Sequence, residues 1–334
     1  MKAAVLYEPY DLRIEDCPPP KPKPGWVVIA VEAAGICGTD VAVYRGEHEA
    51  ELPRIMGHEF AGRILSVGEG VSDWVEGQRV MAEGSWSVDD QASSKIGASS
   101  QALGRTVDGC FAEAVTVPAK TVHHLPPSVS ARAAQSATTV ATAVHAVDRA
   151  GDLNGTRVAI VGPGHAGLLL LQTCIASGAQ EVTVLGTRDN RLNLARSVGA
   201  SSVANVRDPR FESWCQDVVK NPFDLVFQAS GTASGLALSF ELVRDRGCII
   251  SYGIIDSPLD CVPGNPLYTK ELTVIAASGA ADCYGAAIEL MATGDIDVES
   301  LISHTLPLED AAKGFEIVVN RLQNVMRVVF TPVD

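Results

Sequence analysis

The sequence predicts an α/β protein of two domains, one built on a doubly wound parallel sheet and the other rich in short strands. The chain has 334 residues, which is more than one hydrophobic core usually serves. A β-branched run at 157–161 enters a cluster of glycines and continues into a helix-like segment. Beyond it, buried strand patterns alternate with amphipathic helix patterns, which is typical of a parallel sheet.

The glycine cluster has the G-x-G-x-x-G spacing of a dinucleotide-binding turn. Gly162 permits the tight turn, Gly164 lets a pyrophosphate approach the backbone, and Gly167 lets the helix lie close to the strand. His165 and Ala166 lie in the same turn, where the helix N-terminus offers free N–H groups to phosphates. We expect these five residues to bind the pyrophosphate of a dinucleotide.

The alternation of strands and helices continues to about residue 279. Further buried strands are predicted at 181–185, 224–231, 247–253 and 271–279. Helices are predicted at 139–150, 164–177, 189–198 and 234–243. His145, on the first of these helices, is interpreted as structural.

The remaining segments read differently. Short strands bounded by glycine and proline are predicted at 2–6, 26–31, 64–67 and 79–82, which suggests a small barrel or sandwich. After residue 279 the pattern predicts helices at 284–291 and 306–319 and a closing strand at 327–330.

Composition restricts the possible partners and location. The net charge of −14 disfavours nucleic acid and anionic membranes, which such a surface would repel. No apolar run approaches the ~20 residues that span a bilayer, and the N-terminus does not read as a signal peptide. We therefore expect a cytoplasmic protein that binds a small molecule. The eight cysteines include no C-x-x-C pair, so no disulfide framework is expected.

Two glycine-flanked clusters in the first segment carry metal-binding residue types. Cys37 lies in one cluster, and His58 and Glu59 lie in the other. A thiolate, an imidazole and a carboxylate can share one catalytic zinc ion, with a fourth position open for water or substrate. By spacing alone, a chance coincidence of one cysteine and one histidine is an equally open interpretation.

A series of motifs then appears in a recognisable order: Lys2–Val5, Gly35–Asp40, Gly57–Gly62, Gly77–Val80, Asp108–Glu113, the glycine turn and Leu306–Ala311. With these motifs the chain resembles the zinc-type alcohol and polyol dehydrogenases of the medium-chain dehydrogenase/reductase superfamily, of the sorbitol and threonine type. The resemblance extends over nearly the whole chain.

The resemblance implies a GroES-like catalytic domain formed by residues 1–138 and 280–334, and a Rossmann dinucleotide-binding domain at 139–279. It further implies that Cys37 and His58 are ligands of one catalytic zinc, and that Glu59 is an acidic neighbour able to reach the metal. Thr39 matches the hydroxyl that passes the substrate proton.

Three positions depart from the family pattern. Thr138 stands where relatives place the third zinc ligand, and a neutral hydroxyl binds zinc poorly. Ala42 replaces the relay histidine of many relatives. The lobe at 84–108 contains none of the four cysteines that hold a structural zinc in relatives, so no structural zinc is expected. Trp86 in this lobe reads either as a residue of the substrate cleft or as a packing residue.

The end of the second predicted strand distinguishes between cofactors. An acidic residue about 20 positions past the glycine motif would bind the ribose 2′-OH of NAD. Here the chain instead reads Gly186, Thr187, Arg188, Asp189, Asn190, Arg191. Thr187, Arg188 and Arg191 are suited to a 2′-phosphate, so we expect NADP, with NAD as the alternative. The two arginines can also be read as ordinary solvated charges.

Three functions remain open from the sequence. The first is a zinc-assisted NAD(P)-dependent oxidoreductase that interconverts a secondary alcohol, such as a polyol, sugar or cyclitol, and its ketone. The second is a zinc-free NADPH-dependent reductase of a carbonyl, imine or activated double bond. The third is a catalytically silent dinucleotide sensor. By analogy with similar dehydrogenases, the strand at 272–276 is expected to pair across a homodimer or homotetramer.

Overall fold

The structure is a computed structural model that describes residues 1–88, 100–255, 264–280 and 282–332. Its strands are β1 Lys2–Glu8, β2 Asp11–Asp16, β3 Trp26–Gly35, β4 Arg54–Ile55, β5 Phe60–Val67, β6 Arg79–Ala82, β7 Ser85–Ser87, β8 Ser100–Ala102, β9 Ala114–Pro118, β10 Val122–His124, β11 Arg157–Val161, β12 Glu181–Gly186, β13 Ser202–Asn205, β14 Phe223–Gln228, β15 Val243–Ser251, β16 Thr273–Ala276, β17 His304–Pro307 and β18 Val328–Thr331. Its α-helices are α1 Gly38–Tyr44, α2 Ala131–Ala134, α3 Ala137–Ala150, α4 His165–Ala176, α5 Asp189–Ser197, α6 Phe211–Val218, α7 Ala233–Leu242, α8 Gly264–Thr269, α9 Tyr284–Thr293 and α10 Ala311–Val319.

The chain divides into two units. Unit 1 comprises Met1–Thr138 and Ile302–Asp334, and unit 2 comprises Thr139–Leu301. The sequence analysis placed the second junction at residue 280, and the structure differs there. Gln172 of α4 explains the difference, because its side-chain amide accepts from the Asp297 backbone N–H at 2.7 Å and donates to the Asp297 carbonyl at 3.3 Å. The segment after α9 is thereby fixed to unit 2.

Unit 2 contains the doubly wound sheet that the sequence predicts. Its strand order is β13-β12-β11-β14-β15-β16, and every pair is parallel. The β-branched and small residues of β11 are almost fully buried, as expected for a strand with both faces covered. The winding reverses between β11 and β14, and in such sheets ligands bind at the carboxyl ends of the strands beside this reversal.

Unit 1 is built on short strands, as predicted, and every pair except the parallel pair β17–β18 is antiparallel. Its largest sheet has the order β10-β6-β5-β3-β18-β17, and β9 also pairs with β3. Smaller sheets are formed by β2-β1-β4 and by β7-β8. The GroES-like expectation is met by this β-rich unit, in which both ends of the chain take part.

The returning C-terminal segment completes the core of unit 1. β18 pairs antiparallel with the end of β3, and Phe330 of β18 packs edge-to-face on Phe111 with ring centroids 5.1 Å apart. Phe315 of α10 stacks on Tyr44 at 4.7 Å. The expected helix at 306–319 begins later than predicted, because residues 304–307 pair with β18 as a strand and the α-helix starts at Ala311.

Among the helices of the described residues, none combines the length and the apolar character needed to cross a membrane.

Phe330→Ala should lower the free energy of unfolding of unit 1 by about 3–5 kcal/mol, because it leaves a cavity among aromatic rings that are fully buried. Urea unfolding followed by tryptophan fluorescence measures the loss. Leu65→Ala is the matched control in the same unit, since Leu65 is 54% exposed, and its effect should stay within about 0.5 kcal/mol. Equal losses in the two variants would contradict this account of the core.

Candidate metal and cofactor sites

Unit 1 brings together the three residues predicted to bind metal. One ligand atom from each of Cys37, His58 and Glu59 lies within 4.8 Å of the other two. Cys37 precedes the first residue of α1, while His58 and Glu59 immediately precede β5. A thiolate, an imidazole nitrogen and a carboxylate oxygen at this separation form a donor set suited to zinc.

Close backbone packing places His58. Gly57 has φ +93°, and a Cβ at this position would lie 2.4 Å from the ring of Phe111. A Cβ at Gly84 would lie 2.6 Å from the carbonyl oxygen of His58. Neither glycine can carry a side chain in this packing. The two glycines therefore allow the loop before β5 to pack closely against the ring of Phe111 and against the segment that follows β6.

Asp40 orients both Cys37 and His58. Its Oδ2 accepts a hydrogen bond from the Cys37 backbone N–H at 2.8 Å, and its Oδ1 lies 2.9 Å from Nδ1 of His58. Because a carboxylate accepts hydrogen bonds, Nδ1 carries the hydrogen and Nε2 remains available as a ligand atom. The sequence analysis gave Asp40 no role, although its position three residues after Cys37 fits a helix-capping pattern.

The electrostatics of this cluster favour a cation at the imidazole. Burial lowers the pKa of His58, but the charges and hydrogen bonds of Asp40 and Cys37 outweigh burial, so that the pKa stands well above its usual value. At Cys110, burial and the nearby carboxylates of Asp40 and Glu59 raise the pKa of the thiol well above its usual value. The cysteine of the donor cluster is Cys37.

A buried guanidinium holds Glu59. The Nη2 atom of Arg327 donates to the Glu59 carboxylate, Nη1 donates to the Ile36 carbonyl at 2.8 Å, and Nε donates to Oε1 of Gln135 at 3.1 Å. Arg327 and Glu59 are both 3% exposed. A Cβ on Gly35 would lie 2.3 Å from Arg327 Nη2, so a side chain at this position would displace the guanidinium. The sequence analysis missed Arg327 and Gln135.

The two threonines of the candidate site differ in their surroundings. Thr39 lies in the first turn of α1, beside Cys37. The Thr138 hydroxyl is buried, and within the described ranges no group hydrogen-bonds it. A buried hydroxyl without a partner costs about 1–3 kcal/mol, so Thr138 is suited to a partner from outside the chain. Ala42 lies further along α1 and offers no titratable group.

The lobe expected to lack structural zinc is described only in part, since residues 89–99 lie outside the described residues. Trp86 is 4% exposed and packs edge-to-face on Trp26, with ring centroids 5.6 Å apart. Of the two readings of Trp86, the structure supports the packing residue.

Unit 2 contains the predicted glycine turn between β11 and α4. Gly162 has φ +120°, and a Cβ there would lie 2.6 Å from the Ser230 backbone nitrogen. A Cβ on Gly167 would lie 2.0 Å from the Gly162 carbonyl oxygen, so Gly167 permits the close approach of helix and strand. A Cβ on Gly164 would meet nothing within 4 Å. The backbone at Gly164 is therefore open to the approach of a ligand.

The other predicted cofactor residues lie around this turn and the end of β12. His165 and Ala166 form the first turn of α4, whose N-cap is Gly164. Thr187 is exposed directly after β12, Arg188 is the N-cap of α5, and Arg191 lies in the first turn of that helix. These side chains thus follow the carboxyl end of the strand next to β11, where a dinucleotide's adenosine half is expected.

Comparison with known proteins identifies similar chains. Residues 23–127 match the family described as Alcohol dehydrogenase GroES-like domain, and residues 166–293 match the family described as Zinc-binding dehydrogenase. An L-threonine 3-dehydrogenase of Bacillus licheniformis is 31% identical over 319 residues, covering 90% of each chain. A sorbitol dehydrogenase of Halalkalibacterium halodurans is 26% identical over 330 residues, covering 96% of each chain.

Among solved structures, a Sinorhizobium meliloti protein with bound NADP has 26% sequence identity and a TM-score of 0.91, covering 99% of each chain. The similarity thus spans both units and the whole order of motifs.

Arg327→Gln should lower the free energy of unfolding by about 3–5 kcal/mol, because it leaves the buried Glu59 carboxylate without its counter-ion. Arg63→Gln is the matched control, since the ion pair between Arg63 and Glu32 is half-exposed. Such a pair should contribute only about 0–1 kcal/mol to the free energy of unfolding. Chemical unfolding of the metal-free chains measures both effects. A loss for Arg327→Gln as small as that of the control would show that Glu59 does not depend on this ion pair.

Proposed function

Since the chain belongs to the zinc-binding alcohol dehydrogenase family with a GroES-like domain, we propose that it interconverts a secondary alcohol and its ketone with NADP and one catalytic zinc. The observation that carries the proposal is the donor cluster of Cys37, His58 and Glu59, with Nδ1 of His58 already bonded to Asp40. A glycine turn with open space at Gly164 supplies the cofactor side.

The residues fit both groups. Cys37 and His58 would hold zinc, and Glu59 or water would complete the coordination, since Thr138 supplies only a neutral hydroxyl. The glycine turn and the N-terminus of α4 would hold the pyrophosphate. When bound, zinc polarises the substrate oxygen and the nicotinamide exchanges a hydride with the carbon that bears it.

The chain's own residues prepare and protect this chemistry. Asp40 fixes the ring orientation of His58, and Arg327 holds the Glu59 carboxylate through a buried hydrogen bond. The Thr39 hydroxyl accepts the proton of the substrate hydroxyl and passes its own proton to water. Because Ala42 cannot relay a proton, the route beyond Thr39 runs through solvent rather than through a side chain of α1.

The relatives indicate the substrate class. L-Threonine and sorbitol both carry a secondary hydroxyl beside a second polar group, an amine or another hydroxyl. We propose an alcohol of this kind, such as a polyol, sugar or cyclitol. In this proposal, side chains of unit 1 carry out catalysis and unit 2 binds the cofactor.

A zinc-free NADPH-dependent reductase is the second candidate. Thr138 at the third ligand position and Ala42 at the relay position favour it. The retained set of Cys37, His58 and Glu59 favours zinc, because a metal-free reductase has no need of that donor set.

A substrate panel of polyols, amino alcohols and their ketones, followed by nicotinamide absorbance, tests the proposed activity. We expect turnover of a vicinal diol or amino alcohol, with kcat/KM about tenfold or more higher with NADP than with NAD. Tight cofactor binding without turnover of any alcohol, ketone, imine or activated double bond would instead identify a silent sensor.

Metal content tests the ligand set. The purified chain should contain about one zinc, as a three-ligand catalytic site does, and Cys37→Ser should lose it while Thr138→Val keeps it. Cys215→Ser is the matched control, because Cys215 lies in unit 2 on α6. Zinc retained in Cys37→Ser would contradict the assignment. Wild-type protein without zinc that still oxidises NADPH with a carbonyl substrate would favour the reductase.

We also propose a homodimer formed through the edge strand β16, with a homotetramer as a further assembly. β16 ends the sheet of unit 2, Val274 on it is 45% exposed, and Tyr268 of the adjoining α8 is 84% exposed. An exposed strand edge with apolar side chains is a template for pairing with a second copy.

Val274→Arg should shift the chain from dimer to monomer in light scattering after size-exclusion chromatography, because it places a charge in the paired edge. Val219→Arg is the matched control, since Val219 is 70% exposed but follows α6. A wild-type monomer, or a dimer insensitive to Val274→Arg, would contradict the proposed interface.

The thiols support the cytoplasmic location proposed from the sequence. None of the cysteines in the part of the chain that the structure describes forms a disulfide, which is the usual state in a reducing compartment.

A further inference from the structure

The end of β12 cannot accommodate an acidic side chain. Gly186 occupies this end, where an acid would bind the ribose 2′-OH of NAD. A Cβ on Gly186 would lie 2.4 Å from Cγ and 2.6 Å from Cδ of Pro163. Pro163 belongs to the glycine turn, and its rigid ring cannot swing aside as the end of a flexible side chain would. Pro163 therefore excludes every side chain from position 186.

The acid that follows is held elsewhere. Asp189, the first residue of α5, accepts a hydrogen bond at Oδ1 from Nδ2 of Asn205 at 2.7 Å. The Oδ1 atom of Asn205 accepts from the Arg207 backbone N–H at 2.9 Å, which fixes the amide with its nitrogen toward Asp189. Asn205 ends β13 and pairs in register with Gly186. The carboxylate is thus held by the strand on the far side of β12 from β11.

The position of this carboxylate matters for the choice of cofactor. A 2′-phosphate carries at least one full negative charge near neutral pH, and a carboxylate within about 4–6 Å would repel it. The same carboxylate, if free to turn, would accept a hydrogen bond from the 2′-OH of NAD. Thr187 and the cations Arg188 and Arg191 follow the same strand end and suit the phosphate.

We propose that Asn205 is a specificity-determining residue for NADP over NAD, and that Pro163 restricts position 186, at the end of β12, to glycine. Pro163 keeps the end of β12 free of a side chain, and Asn205 holds the Asp189 carboxylate away from the 2′ position. Both act through another residue and are positioning residues. The inference rests on the proposed NADP-dependent function and names the contacts that select its cofactor.

Binding of NADPH and NADH to the full chain, followed by nicotinamide fluorescence, tests the role of Asn205 without any need for turnover. Asn205→Ala should reduce the ratio of NADPH to NADH affinity about three- to tenfold, as expected for one surface hydrogen bond to a charged group. Adding Asp189→Ala to this variant should restore the ratio. Asn193→Ala is the matched control, because Asn193 is an exposed residue of the same helix α5 and should leave the ratio unchanged.

A second set of variants tests Pro163. Gly186→Asp alone should lower the Tm, because its Cβ collides with the proline ring. Gly186→Asp together with Pro163→Ala should recover the Tm and bind NADH more tightly relative to NADPH than Pro163→Ala alone.

The outcomes separate the inference from the function on which it rests. Wild-type protein that binds neither nucleotide, or prefers NADH, would overturn the proposed NADP dependence and the inference with it. Wild-type preference for NADPH with an unchanged ratio in Asn205→Ala, or with equal losses of both affinities, would overturn the role of Asn205 alone. A Gly186→Asp chain as stable as its double variant would overturn the role of Pro163.

Discussion

A buried ion pair joins Arg327, near the C-terminus, to Glu59 in the N-terminal part of the chain. Glu59 belongs to the candidate metal site, so this ion pair fixes one of the donors of that site. Burying both charges is costly unless every donor of the guanidinium finds an acceptor. Gln135, the Ile36 carbonyl and Glu59 supply these acceptors. Arg327 directly precedes β18, which pairs with β3. The C-terminal segment of unit 1 thereby places Arg327 beside Glu59 of the donor cluster.

The carboxylate of Asp40 has a different role from that of Glu59. Asp40 accepts hydrogen bonds from the Cys37 backbone and the His58 ring. It thereby leaves Nε2 of His58 as the ring atom that would bind a metal. Glu59 forms a buried ion pair with Arg327, so its charge is compensated inside the protein. Glu59 is also the carboxylate of the donor cluster that would hold zinc in the proposed function.

The parts of the fold that the sequence predicts are those with local signals. The run at 157–161, the glycine turn and the later buried strands depend on neighbouring residues, and β11 has the predicted bounds. Cys37, His58 and Glu59 were found from residue type together with family resemblance. Arg327 lies 268 residues from Glu59, and nothing in its own segment indicates that pairing. The junction after Leu301 likewise depends on Gln172, which is distant in the sequence, and Asn205 is visible as a partner of Asp189 only in the folded sheet.

X-ray absorption at the zinc edge of the purified wild-type protein reports the ligand set of the metal. We expect one sulfur at about 2.3 Å and the remaining ligands as nitrogen or oxygen at about 2.0–2.2 Å, because Cys37 is the cysteine of the donor cluster. A spectrum with two or more sulfurs, or with none, would contradict the proposed donor set.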